Sequence, residues 1–205
     1  MKTIIYLLRH GAYENPKKVL HLRLPGFPLS EIGKRQAEAA AELFKDKPIE
    51  AVYSSRLTRA YTTAKIIADQ HHLPVITNRK LLDIRSPLQG KPIVYINSLN
   101  SDFYNPKYIE AGGERLSEIY LRMDQCLRAI AGKHSGRSVV VVSHGDPIMS
   151  VWTRYRGLPL PKNYPINEWY VPQASGFKIE FDAEEHPIRI TKLASFKIFP
   201  AAVCS

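Results

Sequence analysis

The stretch Ser138–Ile148, "SVVVVSHGDPI", decides how the rest of the chain is read. Four consecutive valines with no polar alternation fit a strand buried on both faces, as parallel sheets covered by helices require. The run stops on His144 and Gly145. Pro147 follows two residues later, where a helix would begin, and Asp146 is placed to act as its N-cap. An apolar strand that delivers an imidazole and then turns into a helix is the local pattern of an α/β crevice.

Working outward, strand-like and helix-like periods alternate. "TIIYLL" (Thr3–Leu8) is a first strand. "SEIGKRQAEAAAELF" begins at an N-cap, Ser30, and runs at helical period. "EAVYS" is a short strand, followed by the helix "RLTRAYTTAKIIADQH" and the short strand "PVIT". "GERLSEIYLRMDQCLRAIAG" puts Leu116, Ile119, Met123, Cys126, Leu127 and Ile130 on one helical face. "GFKIEFD" and "IRITKLA", separated by "AEEHP", read as two strands at one side of the sheet. The expectation is an α/β fold: a three-layer α/β/α sandwich on a mostly parallel central sheet, one domain over 1–205. An irregular, lid-like insertion at about 83–113 interrupts the period.

Composition narrows the function. At 205 residues and 44% hydrophobic, the chain supports one sizeable core. The first apolar run meets Arg9 too early for a signal sequence, and no stretch is long enough to span a bilayer. A cytoplasmic protein with no membrane partner is expected. Cys126 and Cys204 sit in no metal-spaced pair: the first reads as an inert core thiol, the second as an exposed one in the tail. The net charge of +10 favours anionic partners. The cations are scattered, so a small phosphorylated substrate is favoured over nucleic acid. Oligomeric state is left open, a homodimer included.

Three strand exits carry the candidate chemistry. The first delivers Arg9, His10 and Gly11; "SVVVVS" delivers His144 and Gly145; "EAVYSS" opens a helix with Arg56 and Arg59 in its first turns. A cation there faces the positive end of the helix dipole, a cost that a bound phosphate would offset. Arg forks match phosphate oxygens, a neutral imidazole can attack phosphorus, and a second imidazole can donate to the equatorial oxygens. Arg9 would hold the phosphate and His10 would attack it.

These residues resemble the histidine phosphatase superfamily, the phosphoglycerate mutase-like proteins. "LLRHG" is similar to the family's first-strand signature, "PGFPLSEIGKRQA" to the segment entering its first helix, and "SSRLTRAYTTA" to its second helix start. "AGGERLSEIYLRM" resembles a "GGES…R" helix with Arg115 in place of the serine, and "VVVVSHGDPI" the strand carrying the second histidine. The resemblance implies His10 as nucleophile, Arg9, Arg59 and His144 as the phosphate pocket, and no metal or other cofactor. Two places depart from the pattern. In "LLDIRSPLQGK", Asp83 stands where the family has a glutamate that protonates the leaving group, and Asp146 is a rival donor. After the nucleophile, Ala12, Tyr13 and Pro16 replace the usual loop residues, with Asn15 one position early as a candidate phosphate ligand. Lys17, Lys18, His21 and Arg23 read as a solvated basic face or as a grip on a second acidic group. Tyr95, Tyr104 and Tyr108 divide between core and pocket lining. Hydrolysis of a small metabolite's phosphate monoester is favoured. Phosphoglycerate mutase-type transfer and non-catalytic phospho-ligand binding are the alternatives.

Overall fold

The computed structural model describes residues 1–100, 102–164 and 170–193; Cys204 lies outside them. Its six strands are β1 Thr3–Arg9, β2 Ile49–Ser54, β3 Val75–Thr77, β4 Ser138–Ser143, β5 Gly176–Phe181 and β6 Pro187–Lys192, in the order β3-β2-β4-β1-β5-β6. β1 to β4 form a parallel block; β5 runs antiparallel to β1 and β6 antiparallel to β5.

Alternation along the strands separates two cores. Ile5 and Leu7 of β1, with Val139 and Val141 of β4, face Met123, Leu127, Ile148 and Val151. Those residues belong to α5 (Leu116–Lys133) and α6 (Gly145–Tyr155). Tyr6 and Leu8, with Val140 and Val142, face Ala40, Ala41, Phe44, Ala60, Ala64 and Ile67. These come from α1 (Glu31–Glu42), its end, and α2 (Thr58–Gln70). Every residue of β4 is buried, as four uninterrupted valines require. The result is three layers, with all six apolar positions predicted for α5 buried.

β1 and β4 are neighbours, yet the helices that follow them cover opposite faces. That arrangement opens a crevice at their carboxyl ends. Ser30 caps α1 as expected, its hydroxyl accepting from the Gly33 N–H. At α6 the cap differs from the sequence reading: His144, still extended at φ −126° and ψ 170°, is the N-cap, and Asp146 falls inside the first turn. The strand conformation continues one residue past β4 and shifts the helix start.

The insertion is less irregular than expected. It contains α3 (Ile93–Ser98) and α4 (Pro106–Glu110), both too short to show a period. Ile84, Leu88 and Ile96 bury into the α5 side of the core, beside Leu20 and Leu22 from the segment after β1. Backbone bonds from Leu20 to Lys91, Gly90 to Leu20 and Ile93 to Lys18 knit the two segments together. Together they roof the crevice.

Candidate active site

Parallel pairing sets Arg9 opposite Ser143, so the next residue on each strand, His10 and His144, emerges beside the other. Their ring centroids are 5.1 Å apart and both rings are buried. The loop after His10 is pressed onto α1 and α2. Ala12 accepts from the Ser30 N–H and its own N–H donates to Gln36, while the Gly11 N–H donates to Thr63. A Cβ on Gly33 would lie 1.8 Å from the Ala12 carbonyl oxygen, so only glycine allows this approach.

His10 Nδ1 lies 2.8 Å from the Gly11 carbonyl, which can only accept. The ring proton therefore sits on Nδ1, and Nε2 presents a lone pair to Arg59 Nε at 3.2 Å. Burial first, then the charge of Arg59, hold this imidazole well below its usual pKa and keep it neutral. His144 is held neutral in the same direction by the same two causes. Its Nε2 is 2.8 Å from the Ser55 hydroxyl, which can accept or donate and so serves either tautomer. Its Nδ1 faces Arg59 Nη2 at 3.2 Å and Asp83 Oδ2 at 3.5 Å.

Arg59 is the hub. It is 1% exposed, and its Nη2 also donates to the Leu22 carbonyl at 2.6 Å and to Asp83 Oδ2 at 3.0 Å. Arg56, three residues earlier, is exposed; of the two arginines flagged in the sequence only Arg59 enters the site. Arg9 Nη1 donates to the Val171 carbonyl, and its guanidinium lies 5.2 Å from the Tyr170 ring centroid. Arg9 Nε is buried with no hydrogen-bond partner. An unsatisfied buried donor costs roughly 1–3 kcal/mol, and an anion received between the two arginines would relieve it.

The two candidate acids have different surroundings. Asp83 Oδ1 accepts from the Ile84 N–H, and its other oxygen faces Arg59 and His144. Burial pushes its pKa up, but Arg59, His21 and the Ile84 N–H together outweigh burial and leave it below the ordinary carboxylate value. Asp146 has both oxygens taken by phenols, Oδ1 by Tyr170 and Oδ2 by Tyr104. Burial pushes it up to about 6 in spite of those bonds. Tyr104 also borders a cavity of about 380 Å³ whose walls include Ile109, Leu116, Leu160, Arg115 and Lys162.

Asn15 stands apart from Arg9, His10, Arg59 and His144. Its amide closes its own loop, donating to the Val19 carbonyl and accepting from the Val19 N–H. Lys17 and Lys18 are exposed, whereas His21 and Arg23 turn inward. His21 Nδ1 meets the Tyr13 hydroxyl at 2.9 Å, its Nε2 is 4.0 Å from Asp83, and burial and Arg59 push its pKa down to about 3. Among the tyrosines flagged in the insertion, Tyr104 reaches Asp146, Tyr108 packs on the core and Tyr95 is exposed. Ser55 and Tyr170 are candidate-site neighbours that the sequence reading did not reach, and Tyr13 entered it only as a departure from the family pattern. Ser55 alone had a signal, as the second serine of "SSRLTRA". Among the described residues, no cluster of three or more His, Cys, Asp or Glu side chains is placed to hold a metal ion.

Known proteins resemble this chain in sequence and in fold. A metal-independent phosphoserine phosphatase of Arabidopsis thaliana is 36% identical over 165 residues, 74% of this chain and 68% of the relative. The 2,3-bisphosphoglycerate-dependent phosphoglycerate mutase of Thermoplasma acidophilum is 34% identical over 168 residues, covering 80% and 82%. In fold, Bacillus stearothermophilus YhfR superposes with a TM-score of 0.76 at 24% identity, over 89% of this chain and 93% of the other. The profile of the histidine phosphatase superfamily (branch 1) matches residues 5–192, and the chain belongs to that family.

Proposed function

We propose that the protein is a metal-independent phosphatase that hydrolyses the phosphate monoester of a small metabolite through a phosphohistidine on His10. The observation that carries this reading is the fixed tautomer. The Gly11 carbonyl holds the proton on Nδ1, so Nε2 is a buried, neutral nucleophile facing Arg59. Arg9 and Arg59 supply two positive charges for the phosphate, and the unpartnered Arg9 Nε supplies a donor. His144 supplies a further donor through Nδ1 as charge grows on the equatorial oxygens.

Asp83 is the proton donor in this reading. It borders Arg59 and His144, whereas both oxygens of Asp146 are committed to phenols. In the free protein Arg59 keeps Asp83 ionised. An arriving phosphate draws the guanidinium away and adds negative charge, so Asp83 takes the proton that a monoester monoanion carries near pH 6. His10 Nε2 then attacks phosphorus, the ester P–O bond breaks, and Asp83 gives its proton to the leaving oxygen. In the second step water attacks the phosphohistidine, Asp83 takes a proton from it, and the N–P bond breaks. Inorganic phosphate leaves and His10 regains its lone pair.

The family includes a relative named as a phosphatase and one named as a mutase, so the fate of the phosphoryl group has to be measured. Few cations support a mutase lid: in the described part of 100–111 Lys107 is the one basic residue, and it lies over the Tyr108 ring. No helix among the described residues is long and apolar enough to cross a membrane. The free buried thiol of Cys126 fits a reducing compartment such as the cytoplasm.

The test is rapid quenching into alkaline detergent, where an N–P bond survives, of reactions with a panel of phosphorylated metabolites in chelator-containing buffer. Wild type is expected to form an acid-labile phosphoenzyme and release inorganic phosphate, and His10→Ala to form none. Exchange of 2- and 3-phosphoglycerate outpacing phosphate release would assign a mutase. Phosphate or vanadate binding without turnover of any ester would assign a binding protein.

A further inference from the structure

Glu114 lies outside the phosphate pocket, immediately before α5, and is buried with three cationic or backbone donors around it. Oε2 accepts from Arg23 Nη2 at 2.6 Å and from the Arg85 N–H at 2.9 Å; Oε1 accepts from Arg122 Nε at 2.9 Å. Both guanidinium groups reach past this carboxylate to a single atom. Arg23 Nε donates to the Asp83 carbonyl oxygen at 2.7 Å and Arg122 Nη2 to the same oxygen at 3.1 Å. Arg122 is itself tied to the Lys80 carbonyl at 2.6 Å, on the turn that leads into Asp83.

The arrangement separates two jobs within one residue. The side chain of Asp83 faces Arg59 and His144, while its main chain is held from behind by two charged donors that share one counter-charge. An aspartate has one methylene fewer than a glutamate, about 1.5 Å less reach, so the placement of its backbone decides whether the carboxyl meets the leaving oxygen. Charge-assisted bonds to a carbonyl are the stronger kind. Because Arg23 belongs to the loop after His10 and Arg122 to α5, they fix Asp83 relative to both sides of the crevice.

We propose that Glu114, Arg23 and Arg122 form a positioning clamp that sets the reach of Asp83 toward the leaving group. The clamp acts on Asp83 through its main-chain carbonyl, and its role rests on Asp83 being the proton donor. A clamp of this kind acts selectively: it matters where the leaving group needs a proton and little where it does not.

The experiment measures kcat/KM for a series of aryl phosphates, from 2,4-dinitrophenyl through 4-nitrophenyl to phenyl phosphate, for wild type and for Glu114→Gln, Arg23→Ala and Asp83→Asn. A misplacement of about 1 Å costs on the order of 10²-fold, and general acid help is worth roughly 10²–10⁴-fold. The clamp variants are therefore expected to lose about 10²-fold on phenyl phosphate and less than about tenfold on the dinitrophenyl ester. Their dependence on leaving-group acidity should steepen toward that of Asp83→Asn. Equal losses across the series would show a merely structural role and overturn the clamp. A steep Asp83→Asn series beside clamp variants as shallow as wild type would overturn the clamp alone. A shallow Asp83→Asn series would overturn the acid assignment and the clamp with it. Arg23 is part-exposed on a loop, so Arg23→Ala keeps the test available if Glu114→Gln does not fold.

Discussion

Arg59→Met removes the group on which the whole site converges, and its consequences can be worked from four contacts. The guanidinium faces His10 Nε2 at 3.2 Å, His144 Nδ1 at 3.2 Å, Asp83 Oδ2 at 3.0 Å and the Leu22 carbonyl at 2.6 Å. A phosphate seated between the two imidazoles would take two charge-assisted bonds from it, at roughly 1.5–3 kcal/mol each. Losing both lowers kcat/KM by about 10²–10⁴-fold. Arg59 is also, after burial, the largest influence holding both histidines below their usual pKa and the largest lowering Asp83. Without it the His10 and His144 pKa values rise, so the pH below which phosphoenzyme formation fails moves upward. Asp83 rises too. In wild type its depressed pKa contributes stability that is present above the ordinary carboxylate range and lost as pH falls through the folded value. The variant lacks that contribution, so its destabilisation is greatest at neutral pH and shrinks in acid. Breaking a buried pair by removing one partner costs about 3–5 kcal/mol where the remaining charge stays ionised. Rapid-quench measurement of phosphoenzyme from 4-nitrophenyl phosphate, across pH, reads the first two effects; urea unfolding at neutral and acid pH reads the third. A loss below about tenfold, or an acid limb that does not move, would refute Arg59 as the hub.

Asp146, raised from 3.8 to about 6, holds its proton more tightly when folded, so its ionisation disfavours the native state above pH 6 and ceases to do so below about 4. The difference is roughly 3 kcal/mol at about 1.4 kcal/mol per pH unit. Urea unfolding of Asp146→Asn at the two pH values should lack this gain in acid, relative to wild type; an unchanged difference would count against the buried carboxyl. Gly33→Ala drives a Cβ to 1.8 Å from the Ala12 carbonyl, backbone against backbone, and is expected to cost about 1–3 kcal/mol or more along with activity, through displacement of the His10 loop. Denaturant titration and turnover of 4-nitrophenyl phosphate check both. Burial pushes the Cys126 thiol up to about 11; its peptide should resist alkylation at pH 8 in the native protein and label only as the chain unfolds.

The half of the candidate site proposed to grip phosphate was legible because strand pairing is a short-range rule with a long-range result. Once "TIIYLL" and "SVVVVS" are taken as adjacent parallel strands, equal exits force His10 and His144 together, and the observed register of Arg9 with Ser143 is that arithmetic. Arg59 follows because a cation at a helix start asks for an anion. The half that faces the leaving group is built by other means. Asp146 meets phenols 42 residues before it and 24 after it, and Arg23 meets Glu114 across 91 residues. These partners come from segments with no hydrophobic period, where α3 and α4 span only 6 and 5 residues. Pro147 pointed to a helix starting at Asp146, but the extended backbone of β4 carries through His144 and moves the cap there. Asn15 sat in the right neighbourhood by count, yet a local bond to Val19 competes for its amide and takes both ends. Parallel pairing thus brings the two imidazoles together at the crevice wherever the sheet is built this way. The loops around that crevice are held by local and scattered long-range bonds, so they can change without disturbing the strand pair that sets the two imidazoles together.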